Sequence, residues 1–270
     1  MCLMIKLIAC DLDGTALDDQ KNIDSGLKEV IGKLKEKGIL FTVASGRNKE
    51  LIRRFVEDLE IEIPYICNNG ANIYHGNELI NVDCIPSEHV SDIARLLYEK
   101  GVVFRVYSIE DVFCNKISDF FLARTKGFTK PFKDYSPEID LSKYHVVKIA
   151  GDFNDCEEII EDVQKIVRAY PGTDFFRVEP DVYCVNSISA NKGDSLKKVC
   201  DNLGIEMGKE VMSFGDNEND LSMLKGSKIS VAMGNSEENV KEEADYICLD
   251  NNHNGVSEFL KEYFKEILIN

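Results

Sequence analysis

Short unbroken apolar runs alternate along this chain with stretches whose apolar residues recur every three or four positions. The runs stop at glycine, serine or acidic turns. They read as buried strands, and the periodic stretches as amphipathic helices. Leu7-Ile8-Ala9-Cys10, Ile39–Ala44 and Pro64-Tyr65-Ile66-Cys67 are the first three runs. Between them lie Ile23–Lys37, with Leu27, Val30, Ile31 and Leu34 on one stripe and Gly38 closing it, and Glu50–Leu59. This alternation predicts a parallel sheet joined by right-handed crossovers.

The rhythm changes after residue 71. Asn72 to Ile80 predicts a hairpin turning at His75-Gly76-Asn77. A helix is expected over Ser87–Lys100 with Ser87 as its cap, then strands at Val102–Tyr107 and Val112–Asn115. Ser118–Thr125 reads as helical and Phe128–Ser142 as irregular. A strand at His145–Ala150, a helix at Cys156–Tyr170 and an antiparallel pair around Pro180-Asp181 complete this part. From residue 189 the first rhythm returns. Helix Lys192–Leu203, strand Val211–Phe214, a helix from Leu221, strand Ile229–Met233, a short helix Val240–Ala244, strand Tyr246–Leu249 and helix Gly255–Leu268 follow. The expected class is α/β. A Rossmann-like doubly wound parallel sheet core spans 1–83 and 188–270, and an α+β cap spans 84–187, inserted as a lid commonly is.

Composition narrows the partners. The chain has 270 residues, 44% hydrophobic and 30% charged, with a formal net charge of -16. That excess argues against nucleic acid and anionic lipid as global partners. An anionic substrate needs a local positive site instead. Nine cysteines, with no Cys-x-x-Cys pair, fit neither a zinc site nor a disulfide framework and point to reduced thiols in a cytoplasm. No apolar stretch approaches a membrane span. Leu7-Ile8-Ala9-Cys10 looks like a lipoprotein cleavage site, but nine residues with one lysine before Cys10 make no signal peptide.

Candidate chemistry gathers where strands end, the edge at which open α/β sheets bind ligands. Asp11 and Asp13 follow the first run and point to one side, as residues i and i+2 of a strand do. One carboxylate of such a pair can attack phosphorus and the other can move the proton of the leaving oxygen. Gly14 permits a turn, and Thr15 is a cap or phosphate donor. A calcium loop counted from Asp11 needs glycine sixth and glutamate twelfth, where the chain has Ala16 and Asn22. Ser45-Gly46, Asn191-Lys192-Gly193 and Gly215-Asp216 with Asn219 and Asp220 repeat the same grammar.

Taken in order, Asp11-Leu12-Asp13-Gly14-Thr15, Ala44-Ser45-Gly46-Arg47, Asn68-Asn69-Gly70-Ala71, Asn191-Lys192-Gly193, Gly215 to Asp220 and Ala232-Met233-Gly234-Asn235 resemble the haloacid dehalogenase-like superfamily of Mg-dependent phosphatases. The resemblance is closest to its Cof-type subfamily with a large inserted cap and covers the whole chain. Cys10 departs from the phenylalanine frequent there, and a core position is expected for it. The resemblance implies Asp11 as nucleophile and Asp13 as general acid, then base. It implies Mg²⁺ held by Asp11, the Asp13 carbonyl and Asp216. Ser45, Lys192 and Asn219 would bind phosphate with the amides of Leu12 and Gly46, and Asp220 would support the metal or Lys192 from behind. Thr15, Arg47 and Asn69 are implied at the site edge. Arg105, Arg124, Lys148, Arg177 and Tyr183 are the cap's candidates for reading the leaving group.

The resulting expectation is hydrolysis of a small phosphorylated metabolite, a sugar phosphate or a nucleotide- or cofactor-derived phosphate, by a monomer or homodimer. Transfer to another acceptor, as in a mutase, and a non-catalytic regulator are the alternatives. No Gly-x4-Gly-Lys-Ser/Thr loop or Gly-x-Gly-x-x-Gly turn offers another phosphate fold.

Overall fold

The computed structural model describes residues 5–117, 131–179 and 181–268. In chain order its strands are β1 Leu7–Cys10, β2 Leu40–Val43, β3 Tyr65–Cys67, β4 Asn72–His75, β5 Glu78–Val82, β6 Val103–Ser108 and β7 Val112–Cys114. They continue with β8 Phe132–Asp134, β9 Val146–Asp152, β10 Thr173–Glu179, β11 Val182–Ser187, β12 Val211–Gly215, β13 Ile229–Ala232 and β14 Tyr246–Ile247. By contacts the chain divides into two units, Met1–Ile80 with Asn191–Asn270, and Asn81–Ala190.

The first unit is built around β1. All four of its residues are buried, and it pairs in parallel with β2 on one side and β12 on the other. The sheet order is β14-β13-β12-β1-β2. Because strand side chains alternate, each face of β1 has its own core. Ile8 and Cys10 pack with Leu27, Val30, Leu34, Val256 and Leu260. Leu7 and Ala9 pack with Leu196, Val199, Cys200 and Met223. Helices on both faces of a parallel sheet are the doubly wound α/β class expected.

The third run departs from that expectation. β3 pairs antiparallel with β4 in a separate three-stranded sheet, and among the described residues one parallel bridge, Ala44 to Ile66, ties it to the parallel one. The hairpin that follows recruits β3, so strand–helix alternation alone overcounts the parallel sheet.

In the second unit the sheet order is β10-β11-β9-β6-β7-β8, antiparallel except for β7 with β8. Helices Ser87–Glu99 and Ile160–Arg168 cover one face. Val90, Ile93, Leu97, Val163 and Val167 meet Phe104, Val106, Ile149, Phe175 and Val185 there.

Some boundaries move for local reasons. Pro86, not Ser87, is the N-cap of its helix, and no side chain caps it. The first helix is Leu27–Glu36 because Asp24 accepts the Gly26 amide at 2.9 Å and the Ser257 amide at 2.9 Å, which turns the chain before the helix begins. The stretch expected to be irregular contains β8 and a 3-10 turn, Leu141–Lys143. The helix expected at Ser118–Thr125 lies outside the described residues. No described helix is long and apolar enough to cross a membrane. Every described cysteine is a free thiol.

Candidate active site

The carboxyl ends of β1 and β12, with the start of helix Lys192–Leu203, deliver a buried charged cluster. Asp11 follows β1, and its amide donates to the Phe214 carbonyl of β12 at 3.0 Å. Lys192 opens its helix, where Asn191 caps by accepting the Asp194 amide at 2.8 Å. The Lys192 ammonium donates to Asp11 Oδ1 at 2.7 Å and to Asp220 Oδ1 at 2.6 Å. Lys192 is 1% exposed, so neither contact is shared with bulk water. Asp220 spends its other oxygen on the amides of Asp216 and Asn217, at 3.0 and 3.1 Å. That bond closes a capping box with Asn217 over the turn Glu218–Asp220.

Asp216 completes the group. Its Oδ1 accepts the Thr15 hydroxyl at 2.8 Å. Gly14 has φ 78°, a left-handed conformation, and a Cβ there would collide with the Asp216 carboxylate. Position 14 therefore needs glycine on both counts. Carboxylate oxygens of Asp11, Asp216 and Asp220 lie within 4.8 Å of one another.

Electrostatics set the two aspartates of the first loop apart. Burial pushes the Asp11 carboxyl up to about 7, against the pull of the Lys192 ammonium. Burial also raises Asp216 well above its ordinary range, helped by the charges of Asp11 and Asp220. Burial alone would drag Lys192 down, but Asp11 and Asp220 reverse this and hold it charged. Asp13 is opposite. Burial pushes it up, but the hydrogen bonds and charges of Arg47 and Lys21 outweigh this and hold it at about 2. Arg47 grips it with Nε on Oδ2 and Nη2 on Oδ1, both at 2.6 Å, while Lys21 sits 2.9 Å from Oδ1. The Arg47 guanidinium rests 5.3 Å from the Phe55 ring centroid.

Two buried carboxylates that share one ammonium, with the half-buried Asp216 beside them, leave an excess of negative charge that a divalent cation would balance. All the donors are hard oxygens, the ligand class of Mg²⁺. The residues present therefore fit such an ion.

The remaining candidates ring this cluster within the first unit. Ser45 is fully buried, and its hydroxyl accepts the Arg47 amide at 3.2 Å. Asn219 donates to Asn69 Oδ1 at 3.0 Å. Gly46 lies against the same carboxamide, where a Cβ would stand 2.7 Å from Asn69 Oδ1. Leu12 is buried, with its carbonyl taking the amides of Thr15 and Leu17. Sequence reasoning missed Lys21, whose φ of 65° turns it back on Asp13. It also missed the loop braces. Asn235 Nδ2 donates to the Gly14 carbonyl at 2.9 Å, and Asn251 Nδ2 to that of Leu17 at 3.0 Å. The polar run Asp250–Asn254 was the available signal for the second.

In the second unit, Arg105 and Lys148 are buried on the sheet face that carries Tyr107, with Lys148 Nζ 4.7 Å from its ring centroid. Tyr183 packs instead on Phe153 and Phe175, among the core aromatics. Arg177 is exposed, and Arg124 lies outside the described residues.

Comparison with known proteins places the chain in a family. The sequence profile of haloacid dehalogenase-like hydrolases matches residues 8–260. A Bacillus subtilis protein named 5-amino-6-(5-phospho-D-ribitylamino)uracil phosphatase is 29% identical over 260 residues, covering 96% of each chain. A haloacid dehalogenase-like hydrolase from Bacteroides thetaiotaomicron superposes with TM-score 0.82 at 27% identity, over 96% of this chain and 100% of its own. A sugar phosphatase of subclass IIB of that superfamily gives TM-score 0.82 at 27% identity, over 96% and 98%. With a profile match across most of its length, the chain belongs to the haloacid dehalogenase-like hydrolase family.

Proposed function

We propose that the chain is a Mg²⁺-dependent phosphomonoester hydrolase of small phosphorylated metabolites, acting through an aspartyl-phosphate on Asp11. The observation that carries this reading is the Lys192 ammonium, buried between Asp11 and Asp220 at 2.7 and 2.6 Å. It aims one Asp11 oxygen and leaves the other for chemistry.

Asp11, Asp216 and the Asp13 carbonyl would hold Mg²⁺. When bound, the ion neutralises charge on the phosphoryl oxygens. The chain's own residues do the rest. Ser45, Asn219, Lys192 and the amides of Leu12 and Gly46 bind the phosphate and stabilise its transition state. Asp220 and Thr15 act as positioning residues, on Lys192 and Asp216. An Asp11 oxygen attacks phosphorus as the bond to the leaving oxygen breaks, and Asp13 gives that oxygen its proton. Asp13 then takes a proton from water as the water oxygen attacks phosphorus, which releases phosphate and restores Asp11. To carry a proton Asp13 must leave the grip of Arg47 and Lys21. An arriving phosphate competes for both cations, and burial then favours the protonated acid.

Residues 1–83 and 188–270 are read as the catalytic core and 84–187 as the cap that selects the leaving group. The Bacillus subtilis relative's name and the sugar phosphatase among the structural neighbours favour sugar phosphates and nucleotide- or cofactor-derived phosphates. The test is a panel of phosphorylated metabolites with Mg²⁺, followed by chelation. Hydrolysis that stops on chelation and returns with Mg²⁺ is expected. Turnover that survives exhaustive chelation would remove the metal from the reading.

A further inference from the structure

Asn68, Asn69 and Gly70 are three consecutive residues in left-handed conformation, with φ of 52°, 57° and 103°. Among the described residues, five non-glycine positions have positive φ, and only Asn68 and Asn69 are neighbours. Such backbone is costly for any side chain and persists where the surroundings over-determine it. Here three strand-end loops do so. The Asn68 amide donates to the Arg47 carbonyl at 2.9 Å and the Asn69 amide to the Ser45 carbonyl at 3.0 Å. Gly70 lies so close to the Asn191 backbone that a Cβ would collide, and its carbonyl accepts the Ser195 hydroxyl at 2.7 Å. The Asn69 carboxamide, 3% exposed, reaches the third loop and accepts Asn219 Nδ2 at 3.0 Å.

We infer that Asn69 is a positioning residue for the phosphate site, acting through Asn219. It does two jobs. Its backbone amide sets the Ser45 loop, and its side chain fixes which way the Asn219 carboxamide faces. Any residue tolerant of left-handed backbone could do the first. Only a side-chain acceptor of this reach does the second, which explains asparagine where glycine would relieve the strain. The inference rests on the proposed hydrolysis, but its test reads phosphate binding as well as turnover.

Asn69→Gly in the intact chain keeps the amide, suits the backbone and deletes only the carboxamide. Its thermal midpoint is expected within a few degrees of the wild-type value, because relief of the left-handed strain offsets the added freedom of the unfolded chain. Its dissociation constant for inorganic phosphate, measured by calorimetry with Mg²⁺ present, is expected to rise about five- to tenfold, what one lost hydrogen bond to a binding group amounts to. The Mg²⁺ half-saturation constant is expected within about twofold of wild type, since no carboxylate of the acidic cluster is touched. Asn219→Ala should weaken phosphate binding at least as much, and the double variant should be no weaker than Asn219→Ala alone, because the two act as one unit.

Phosphate affinity unchanged in Asn69→Gly would overturn the inference. So would losses that multiply in the double variant, or a lowered midpoint that accounts for the loss. A wild-type chain that binds phosphate but hydrolyses nothing would sink the reaction and leave this assignment open to the same binding measurements.

Discussion

Asp11 and Asp13 leave the same strand two residues apart and arrive in opposite electrostatic states. Asp11 is buried, shares one ammonium with Asp220, and has its carboxyl pushed up to about 7. Asp13 is half-exposed, takes both arms of Arg47 and the tip of Lys21, and is held at about 2. The same side chain thus has too little positive charge around it at one position and ample at the other. The difference lies in the partners' shapes. A guanidinium presents a planar fork that satisfies both oxygens of one carboxylate, whereas an ammonium is a point charge that two carboxylates can divide. The buried site is left hungry for a cation, and the rim site is already satisfied.

The largest effect expected from breaking this contrast is on turnover. Asp11→Asn keeps the volume and removes the proposed nucleophile, so kcat should fall by about 10⁴-fold or more. Circular dichroism should remain that of the wild type, and steady-state hydrolysis of the best metabolite reads the loss. Near-normal turnover would remove the covalent route. The reciprocal change, Lys192→Met, strips the shared ammonium from Asp11 and Asp220 and leaves both buried. Breaking a buried pair from one side costs about 3–5 kcal/mol. Denaturant unfolding without Mg²⁺ should show that loss, and added Mg²⁺ should recover part of it.

How much of this was legible in the sequence follows the same division. The buried cluster was readable, because each member sits where an apolar run meets a small or acidic turn. Asp11, Asp216, Asp220 and Lys192 all obey that rule, and the structure brings them together. The rim was not readable. Lys21 lies in the polar stretch of residues 18–22, which carries no apolar pattern, and its left-handed φ helps bring the ammonium back to Asp13. The turn itself is local, with the Lys21 amide on the Asp18 carbonyl at 2.9 Å and the Asn22 amide on the Asp18 carboxylate at 2.8 Å. Where that turn is held is not local: Asn251 and Asn252 bond Leu17 and Asp19 from more than two hundred residues away. For the same reason the alternation places β3 within the parallel sheet, which it meets through one parallel bridge while its ladder is with β4. Its own residues suit any buried strand, and the choice belongs to β4. Local pattern reports where a chain is buried. Which distant segment buries it, and at what angle, is decided by contacts no window contains.

The smallest expected effects are shifts with pH, and they run in opposite directions for the two aspartates. Asp11 has its carboxyl raised from 3.8 to about 7 on folding. Its protonated form therefore favours the fold, fully below about 4, and this contribution is lost as pH rises through about 7. In chelator, the thermal midpoint of the wild type should fall from pH 4 to 7, and Asp11→Asn should flatten that fall. Saturating Mg²⁺ should flatten it too, by supplying the charge the carboxylates lack. Asp13 has its carboxyl lowered from 3.8 to about 2. Its ionised form favours the fold above about 4, and this contribution is lost as pH falls towards 2. Arg47→Met should therefore narrow its gap to the wild type across that acid window and leave the slope between pH 4 and 7 alone. Because the Asp13 side chain is 39% exposed, solvent screening keeps this shift to a degree or two of midpoint, about what a surface pair contributes. A steeper acid limb in Arg47→Met than in the wild type would mean that Asp13 finds its counter-charge elsewhere, and the contrast between the two aspartates would lose its physical basis.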